Sequence, residues 1–250
     1  YKLNKNYFAN YYVAFGDECH LFKSKSLIAI MSKLVNCPYR VGTTGTLDGT
    51  KIHKLVIEGL FGPVYKVTST KDLIKKDILS DIEIDCILLK YPVDFRNKHK
   101  RITYQEEIDL LVSCEDRNKF ISNLTSKLKG NTLVLFQYVS KHGKPLYKMI
   151  KDMVGDRKCF FVYGDTHTKI REEVRKIVEK ENDAIIVASY GTFSTGISIR
   201  RLHNIVFASP SKSRIRVLQS IGRQLRKSKY KEKAKLYDIS DDICWKKYKN

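Results

Sequence analysis

Short runs of apolar residues alternate along this chain with stretches in which apolar residues recur at helical spacing. The runs predict strands at residues 11–15, 39–42, 82–89, 132–136, 159–162, 184–188, 203–208 and 236–239. The helically spaced stretches predict helices near residues 25–35, 52–60, 104–112, 117–128, 141–154, 167–181 and 214–225. Regular alternation of helices with continuous apolar strands is typical of a parallel sheet covered on both faces, so we predict an α/β fold.

A charged stretch from about residue 71 to residue 100 separates two predicted domains. Residues 1–79 are expected to form the C-terminal part of one parallel-sheet domain, and residues 80–250 a second one. The chain opens at Tyr1, a few residues before its first candidate motif. We therefore expect a fragment whose first domain is truncated at its N-terminus.

Composition places the chain among globular proteins, with 42% hydrophobic and 30% charged residues in a length of 250. No apolar run reaches membrane-spanning length and no signal-peptide pattern is present, which predicts an intracellular protein without membrane contact. The six cysteines include no C-x-x-C pair, which argues against a disulfide framework or a zinc site. The net charge of +20 favours a nucleic-acid partner, although lysine-rich solvated faces are common, and a monomer is expected.

The first candidate motif is Asp17-Glu18-Cys19-His20, directly after an apolar run that we expect to be a buried strand. At the end of a parallel strand, Asp17 can hold Mg²⁺ through water, and Glu18 can polarise a water that attacks a γ-phosphate. His20 is then expected near the domain interface, where it can report the nucleotide state. A solvated acidic loop with a chance histidine is the alternative.

A second candidate, Thr44-Gly45-Thr46, follows the next predicted strand. Two hydroxyl groups around a glycine can form hydrogen bonds to the acidic motif and couple hydrolysis to domain movement. As an isolated tripeptide it is equally typical of an ordinary turn. Its position one strand–helix unit after Asp17 favours the functional interpretation.

Two further candidates lie near the end of the chain. Residues 189–198, rich in serine, threonine and glycine, predict a loop whose backbone N–H groups can approach a phosphate, or else a flexible connection. The most specific motif is Gln219-x-x-Gly222-Arg223-x-x-Arg226. Its two arginines share a helical face and can stabilise charge on a transferring phosphoryl group, although a basic helix surface is the alternative.

The order of these motifs resembles motifs II to VI of superfamily 2 helicases, and more narrowly the UvsW helicases of T-even-like phages. The resemblance also includes Phe136 with His142-Gly143, Tyr163-Gly164-Asp165-Thr166, residues 45–51 and 61–65, and residues 133–147. It implies two RecA-like domains and an ATP-dependent DNA helicase or translocase that acts on branched recombination or replication intermediates. The implied cofactors are ATP and Mg²⁺, and the implied partner is DNA.

The resemblance also implies roles for individual residues. The implied catalytic residues are Asp17, Glu18, His20, Gln219, Arg223 and Arg226, with Asp17 coordinating Mg²⁺–ATP and Glu18 acting as general base. Gly196, Arg223 and Arg226 are the implied nucleotide contacts, and Thr46, Gly164, Thr192, Ser194 and Thr195 the implied nucleic-acid contacts.

The chain departs from the family pattern in two places. It contains no G-x-x-x-x-G-K-[ST] segment, so the fragment alone is expected to be inactive. It also has Ser198 where many superfamily 2 proteins carry an aspartate. A non-catalytic nucleic-acid-binding protein with a helicase-like fold, using tyrosines such as Tyr138 and Tyr190 for stacking, is an open alternative. The translocase subunit of a restriction complex is another.

Overall fold

The computed structural model describes residues 1–47, 51–194, 199–211, 220–222 and 233–243. Contacts divide them into two compact units, one comprising Tyr1–Ser69 and one that begins at Thr70. The sequence analysis places the boundary between residues 79 and 80 instead. A short helix before that point, Thr70–Lys75, belongs by its contacts to the second unit.

The first unit contains two strands and two α-helices among its described residues. Their order is a 3₁₀ turn Lys5–Phe8, β1 Val13–Gly16, a 3₁₀ turn Cys19–Leu21, α1 Lys25–Lys33, β2 Tyr39–Gly42 and α2 Lys51–Phe61. The strands pair in parallel, with Val13 opposite Tyr39 and Gly16 opposite Gly42. This agrees with the predicted strand–helix–strand order.

One face of this pair of strands packs against a small core. Ala14 contacts that core, and a Cβ added to Gly16 would lie 2.6 Å from the Phe61 ring, so the ring rests directly on the strand. The opposite face is exposed, with Val13 at 44% and Phe15 at 76% of full exposure. The prediction that this strand is buried is therefore wrong, because the described residues cover only one of its faces.

The second unit alternates strands and helices. Its elements are α3 Thr70–Lys75, β3 Asp81–Leu89, α4 Val93–His99, α5 Tyr104–Ser113, α6 Glu115–Lys127, β4 Thr132–Phe136, a π-helical turn Val139–Gly143, α7 Lys144–Val154, β5 Cys159–Val162, α8 Thr168–Lys180, β6 Ile185–Ser189, α9 Tyr190–Ser194, β7 Asn204–Phe207 and β8 Lys233–Asp241. The six strands of its described residues form one sheet in the order β3-β8-β7-β4-β6-β5, and all neighbours are parallel. The predicted parallel α/β fold is confirmed.

The central strands of this sheet are buried along their whole length. On one face, Val134 and Phe136 of β4 pack with Ile121 of α6 and with Leu146 and Ile150 of α7. The remaining residues of β4 are also inaccessible to solvent. Cover on both faces explains why β4 and β6 are continuous apolar runs in the sequence.

Two segments differ from their predicted form. Residues 190–194, predicted as a loop, form the short helix α9, whose first turn is supported by a hydrogen bond from the Thr192 amide to Ser189 Oγ (3.4 Å). The predicted helix 141–154 begins instead with the π-helical turn. The predicted helix 214–225 lies outside the described residues except for 220–222.

Within the described part of the chain, no helix is long and apolar enough to cross a membrane.

Candidate functional site

The acidic motif and the Thr-Gly-Thr motif lie side by side at one edge of the first unit. Because β1 and β2 are parallel, the chain leaves both strands at their carboxyl ends on the same edge. Two backbone hydrogen bonds continue the pairing beyond the strands, from the Thr43 amide to the Gly16 carbonyl (2.9 Å) and from the Cys19 amide to the Thr43 carbonyl (2.9 Å). The predicted proximity of these motifs is therefore present in the structure.

Asp17 is held at one carboxylate oxygen and open at the other. Its Oδ1 accepts hydrogen bonds from the Glu18 amide (2.9 Å) and from Thr43 Oγ1 (3.2 Å), which orient the side chain. The side chain is exposed, and the described residues place no hydrogen bond on Oδ2. One carboxylate oxygen therefore points to where a ligand can reach it.

Glu18, His20 and Thr44 form a compact polar cluster. His20 Nδ1 lies 2.9 Å from Thr44 Oγ1 and 3.2 Å from Glu18 Oε2, and Thr44 Oγ1 lies 3.5 Å from the same carboxylate oxygen. His20 is buried, whereas the Glu18 side chain keeps 44% of its full exposure. The cluster therefore joins a buried imidazole to a carboxylate that solvent or a ligand can approach.

The backbone at Glu18 is in the left-handed region, with φ of 48°. This conformation is costly for a residue with a side chain, and such residues concentrate at functional sites. It turns the chain sharply after β1, so that Asp17 and Glu18 project from the strand end while His20 folds back toward Thr44. The local turn thus positions three predicted site residues.

Thr46, predicted as a nucleic-acid contact, has a buried side chain. Its Oγ1 has no hydrogen-bond partner among the described residues, and its amide donates to Thr44 Oγ1 (3.2 Å). The structure therefore gives Thr46 a role in shaping the turn around Thr44, and in this conformation its hydroxyl does not reach the surface.

The other predicted nucleic-acid contacts lie in the second unit. Thr192 is only 3% exposed and its Oγ1 lies 2.8 Å from Ser189 Oγ, so its side chain offers no group to a polyanion in this conformation. Gly164 is exposed after β5, and its carbonyl accepts a hydrogen bond from Arg171 Nη2 (2.6 Å). The Ser194 side chain and the whole of Thr195, Gly196, Gln219, Arg223 and Arg226 lie outside the described residues.

A buried polar network at the carboxyl edge of the second sheet was not predicted from the sequence. His142, in the π-helical turn, has no exposure; its Nδ1 lies 2.8 Å from Ser209 Oγ and its Nε2 lies 3.0 Å from Asn118 Oδ1. Burial and the nearby positive charge of Arg117 lower the pKa of His142 to about 3, so the imidazole is neutral. The sequence signal for it was that His142-Gly143 belongs to the segments that resemble superfamily 2 helicases.

Arg117 forms a second part of this network. Its Nε donates to both carboxylate oxygens of Asp241, at 3.0 and 3.1 Å, and its Nη1 donates to the Ala208 carbonyl (2.7 Å). Tyr91 Oη also donates to Asp241 (2.8 Å), and burial together with that carboxylate raises the pKa of Tyr91. These contacts tie α6 to the ends of β3, β7 and β8.

The outer surface of the π-helical turn carries exposed polar and positively charged side chains. Ser140, Lys141 and Lys144 are exposed, and Lys148 follows one helical turn later on α7. Lys141 Nζ lies 3.0 Å from Asp109 on α5, in an ion pair that is largely exposed. Such a surface can exchange its weak protein contacts for phosphate groups.

Comparisons with known proteins identify the family of this chain. Residues 115–228 match the family model of the helicase conserved C-terminal domain. Over 243 residues the chain is 39% identical to the ATP-dependent DNA helicase uvsW of Enterobacteria phage T4, a match that covers 96% of this chain and 48% of that protein. The chain belongs to the superfamily 2 helicases.

The solved structures agree with this assignment to superfamily 2. The crystal structure of T4 UvsW aligns with a TM-score of 0.57 at 40% identity, covering 97% of this chain and 47% of that one. A DNA-bound ATP-dependent type ISP restriction-modification enzyme, LlaBIII, aligns with a TM-score of 0.64 at 18% identity, over 93% of this chain and 18% of that chain, and shows the fold alone. The predicted RecA-like fold and the predicted helicase family are confirmed.

The chain spans about half the length, or less, of the curated relatives it matches. Its matched share is 48% of the T4 helicase and 45% of a putative ATP-dependent RNA helicase of Acanthamoeba polyphaga mimivirus. The similarity therefore concerns part of each relative.

Proposed function

We propose that this chain is part of an ATP-dependent DNA helicase or translocase that acts on branched recombination or replication intermediates. The observation that carries the proposal is the cluster of Asp17, Glu18, His20 and Thr44 at the carboxyl ends of two parallel strands. The name of the similar T4 protein, ATP-dependent DNA helicase, supports the same activity. An intracellular location and a monomeric state stay predictions.

The residues at this site fit a nucleotide-bound magnesium ion. Mg²⁺ in phosphoryl-transfer sites is bound by one or two carboxylates together with phosphate oxygens and water. Asp17 offers one exposed carboxylate oxygen, and no group of three or more metal-binding side chains occurs among the described residues. Asp17 would therefore hold the ion jointly with ATP, and the bound ion would supply charge neutralisation at the phosphates.

Glu18 and His20 would have different roles at this site. Glu18 is the group that would orient the attacking water and accept its proton, since its carboxylate stays accessible at the end of β1. Thr44 contacts both Glu18 and His20, and Glu18 also contacts His20 directly, so a change in the contacts of the carboxylate would alter the surroundings of the buried imidazole. Gln219, Arg223 and Arg226 would complete the site by stabilising charge on the γ-phosphate.

The second unit would supply a nucleic-acid surface. The exposed cations of the π-helical turn and α7 suit phosphate groups, and Tyr138 beside them is partly exposed and can stack on a base. Gly164, Ser194 and Thr195 are the further contacts proposed from the helicase family. Since phosphate contacts release counterions, binding to DNA should weaken steeply as salt is raised.

The proposal is tested by Glu18→Gln in the complete motor, in which a phosphate-binding loop accompanies this chain. We expect ATP turnover to be lost while ATP binding survives, because the amide keeps the shape of the side chain but cannot accept the proton. Glu58→Gln, on α2 beside Lys54, is the matched control and should retain turnover. Full turnover by the Glu18 variant would show that this residue is not the general base.

Arg226→Ala tests the other half of the site. We expect it to remove most of the ATPase rate with little loss of DNA affinity, because the arginine would act on the phosphate in the transition state. DNA affinity measured by fluorescence anisotropy separates the two effects. A proportional loss of DNA binding would favour a basic nucleic-acid-binding surface.

A non-catalytic nucleic-acid-binding protein is the second candidate function, favoured by the absence of a G-x-x-x-x-G-K-[ST] segment from the 250 residues. It predicts salt-dependent DNA binding that is insensitive to Glu18→Gln, with no ATP turnover in any form of the protein. Turnover by the complete motor would exclude it.

A further inference from the structure

Three segments meet at Ser209, a buried residue just after β7. Its hydroxyl oxygen accepts a hydrogen bond from the Gln137 amide at the end of β4 (3.0 Å) and lies 2.8 Å from His142. Its carbonyl accepts a hydrogen bond from Tyr190 Oη at the start of α9 (2.9 Å). A single buried serine therefore links the chain segments that follow β4, β6 and β7.

The groups at the two ends of this network, the Gln137 amide and the Asn118 side chain, determine the direction of each hydrogen bond. The Gln137 amide can only donate to the Ser209 hydroxyl, so the hydrogen of that hydroxyl is available to donate to His142 Nδ1. At the other end, Asn118 Nδ2 donates to the Val112 carbonyl (3.0 Å), which leaves Asn118 Oδ1 to accept from His142 Nε2. One neutral tautomer of His142, protonated at Nε2, satisfies all of these groups.

The π-helical turn that contains His142 has an inner and an outer side. On the inner side, a Cβ at Gly143 would lie 2.4 Å from the Phe136 ring, so the turn packs directly against β4. The outer side carries the exposed Lys141, and Lys144 follows it immediately. Because the turn is only five residues long, its inner contacts determine where these two cations lie.

We propose that His142 and Ser209 are positioning residues for nucleic-acid binding. Although both are buried and cannot touch a ligand, they hold the π-helical turn so that Lys141 and Lys144 can contact neighbouring phosphates. The inference rests on the proposed nucleic-acid function of this surface.

The test measures the affinity of the whole chain for a fluorescent single-stranded DNA oligonucleotide over a range of salt concentrations. Each phosphate contact to single-stranded DNA contributes about 0.7 to the slope of log affinity against log salt. Ser209→Ala and His142→Gln should each weaken binding and lower this slope by about 0.7 to 1.4, the share of one or two contacts. The double variant Lys141→Ala/Lys144→Ala should also weaken binding and lower the slope, because it removes the two cations themselves.

Two comparisons separate positioning from loss of stability. Val178→Ala, a buried change on α8 away from the turn, should lower stability while leaving the salt slope of the folded protein unchanged. Ser209→Ala added to the double lysine variant should produce little further loss of DNA binding, because both changes remove the same contacts. A wild-type slope in folded Ser209→Ala, or losses that add in full, would overturn the inference.

Hydrogen exchange distinguishes a failure of this inference from a failure of the proposed function. Without DNA, Ser209→Ala should speed exchange of the His142 and Gly143 amides about tenfold, and Val178→Ala should not. A wild-type chain that does not bind DNA contradicts the proposed function, and positioning for DNA binding fails with it. Unchanged exchange in a chain that does bind DNA overturns the positioning role alone.

Discussion

Two histidines at the carboxyl ends of parallel strands lie in opposite kinds of surroundings. His20, in the first unit, contacts Thr44 and a half-exposed carboxylate, Glu18. His142, in the second unit, lies between two buried neutral groups on Ser209 and Asn118, and all of its hydrogen-bonding capacity is used. The first arrangement leaves groups open to a ligand, whereas the second is complete within the protein.

The surrounding sheets account for this difference. In the described residues, the sheet beneath His20 has two strands and one exposed face, so its polar groups remain close to water. The sheet beneath His142 has six strands and buried central strands, so a polar group there must be fully paired or it destabilises the fold. An open cluster suits chemistry on a bound ligand, and a closed one suits the support of a surface.

The sharpest test of the closed arrangement is Asp241→Ala. Removal of this carboxylate leaves Arg117 charged and buried without its partner, which we expect to cost about 3–5 kcal/mol of unfolding free energy. Urea denaturation followed by circular dichroism measures the loss. Glu115→Ala, which breaks the exposed pair with Lys119, is the control and should have little effect. Similar small losses in both variants would contradict the contrast between the two kinds of cluster.

Hydrogen exchange should show the same contrast along the backbone. We expect amides of β1 and β2 to exchange at least about a hundredfold faster than those of β4 and β6, because a two-stranded sheet with an exposed face opens locally at low cost. Mass spectrometry of the intact chain, digested after labelling, gives both rates in one sample. Equal protection in the two sheets would mean that the first unit is stabilised by more than its described contacts.

The free energy of unfolding should depend on pH because the pKa of His142 differs between the folded and the unfolded chain. His142 has a pKa of about 3 in the folded protein, against about 6.5 when unfolded, so the unfolded chain binds the extra proton first as pH falls. Its contribution to stability is complete above pH 6.5 and should decline by up to about 1.4 kcal/mol per pH unit below it. Arg117, whose positive charge lies near the ring, forms a buried ion pair with Asp241.

The check is the pH dependence of unfolding free energy between about pH 6.5 and 5, compared between the wild type and His142→Gln. Glutamine does not titrate, so the variant should be less stable overall but should lose less stability as pH falls. Carboxylates that titrate in this range contribute to both curves and cancel in the difference. Parallel curves would mean that His142 is not neutral and enclosed.

Local chain patterns were sufficient to predict much of this architecture. The predicted strands 132–136 and 159–162 coincide with β4 and β5. β4 is a continuous apolar run because it is buried on both faces, and β5, although only partly buried, is also a short apolar run. The meeting of the acidic motif with Thr44 was also predictable, since parallel strands place their carboxyl ends at one edge. Both features depend on short segments and on the general geometry of parallel sheets.

Features that depend on distant contacts were not predictable in the same way. Asn118 and Ser209 meet His142 across 24 and 67 positions of sequence, and each is unremarkable within its own segment. Thr192 lies in a hydroxyl-rich stretch that suggested a phosphate loop, yet its hydroxyl pairs with Ser189, whose own hydroxyl caps the first turn of α9. The exposure of Phe15 likewise depends on what covers the strand and not on the strand's apolar composition.

The open cluster should tolerate the loss of a hydrogen bond better than the closed network does. Thr44→Val keeps the shape of the side chain but removes the hydroxyl that contacts His20 and accepts from the Thr46 amide. We expect a loss of only about 1 kcal/mol of unfolding free energy, because water can replace part of what is removed beside the accessible Glu18. Urea denaturation measures it, with Thr43→Val, which removes a single exposed bond to Asp17, as the control. A loss as large as that of Asp241→Ala would show that the first cluster is also closed to solvent, and the proposal that ATP is bound there would lose its structural basis.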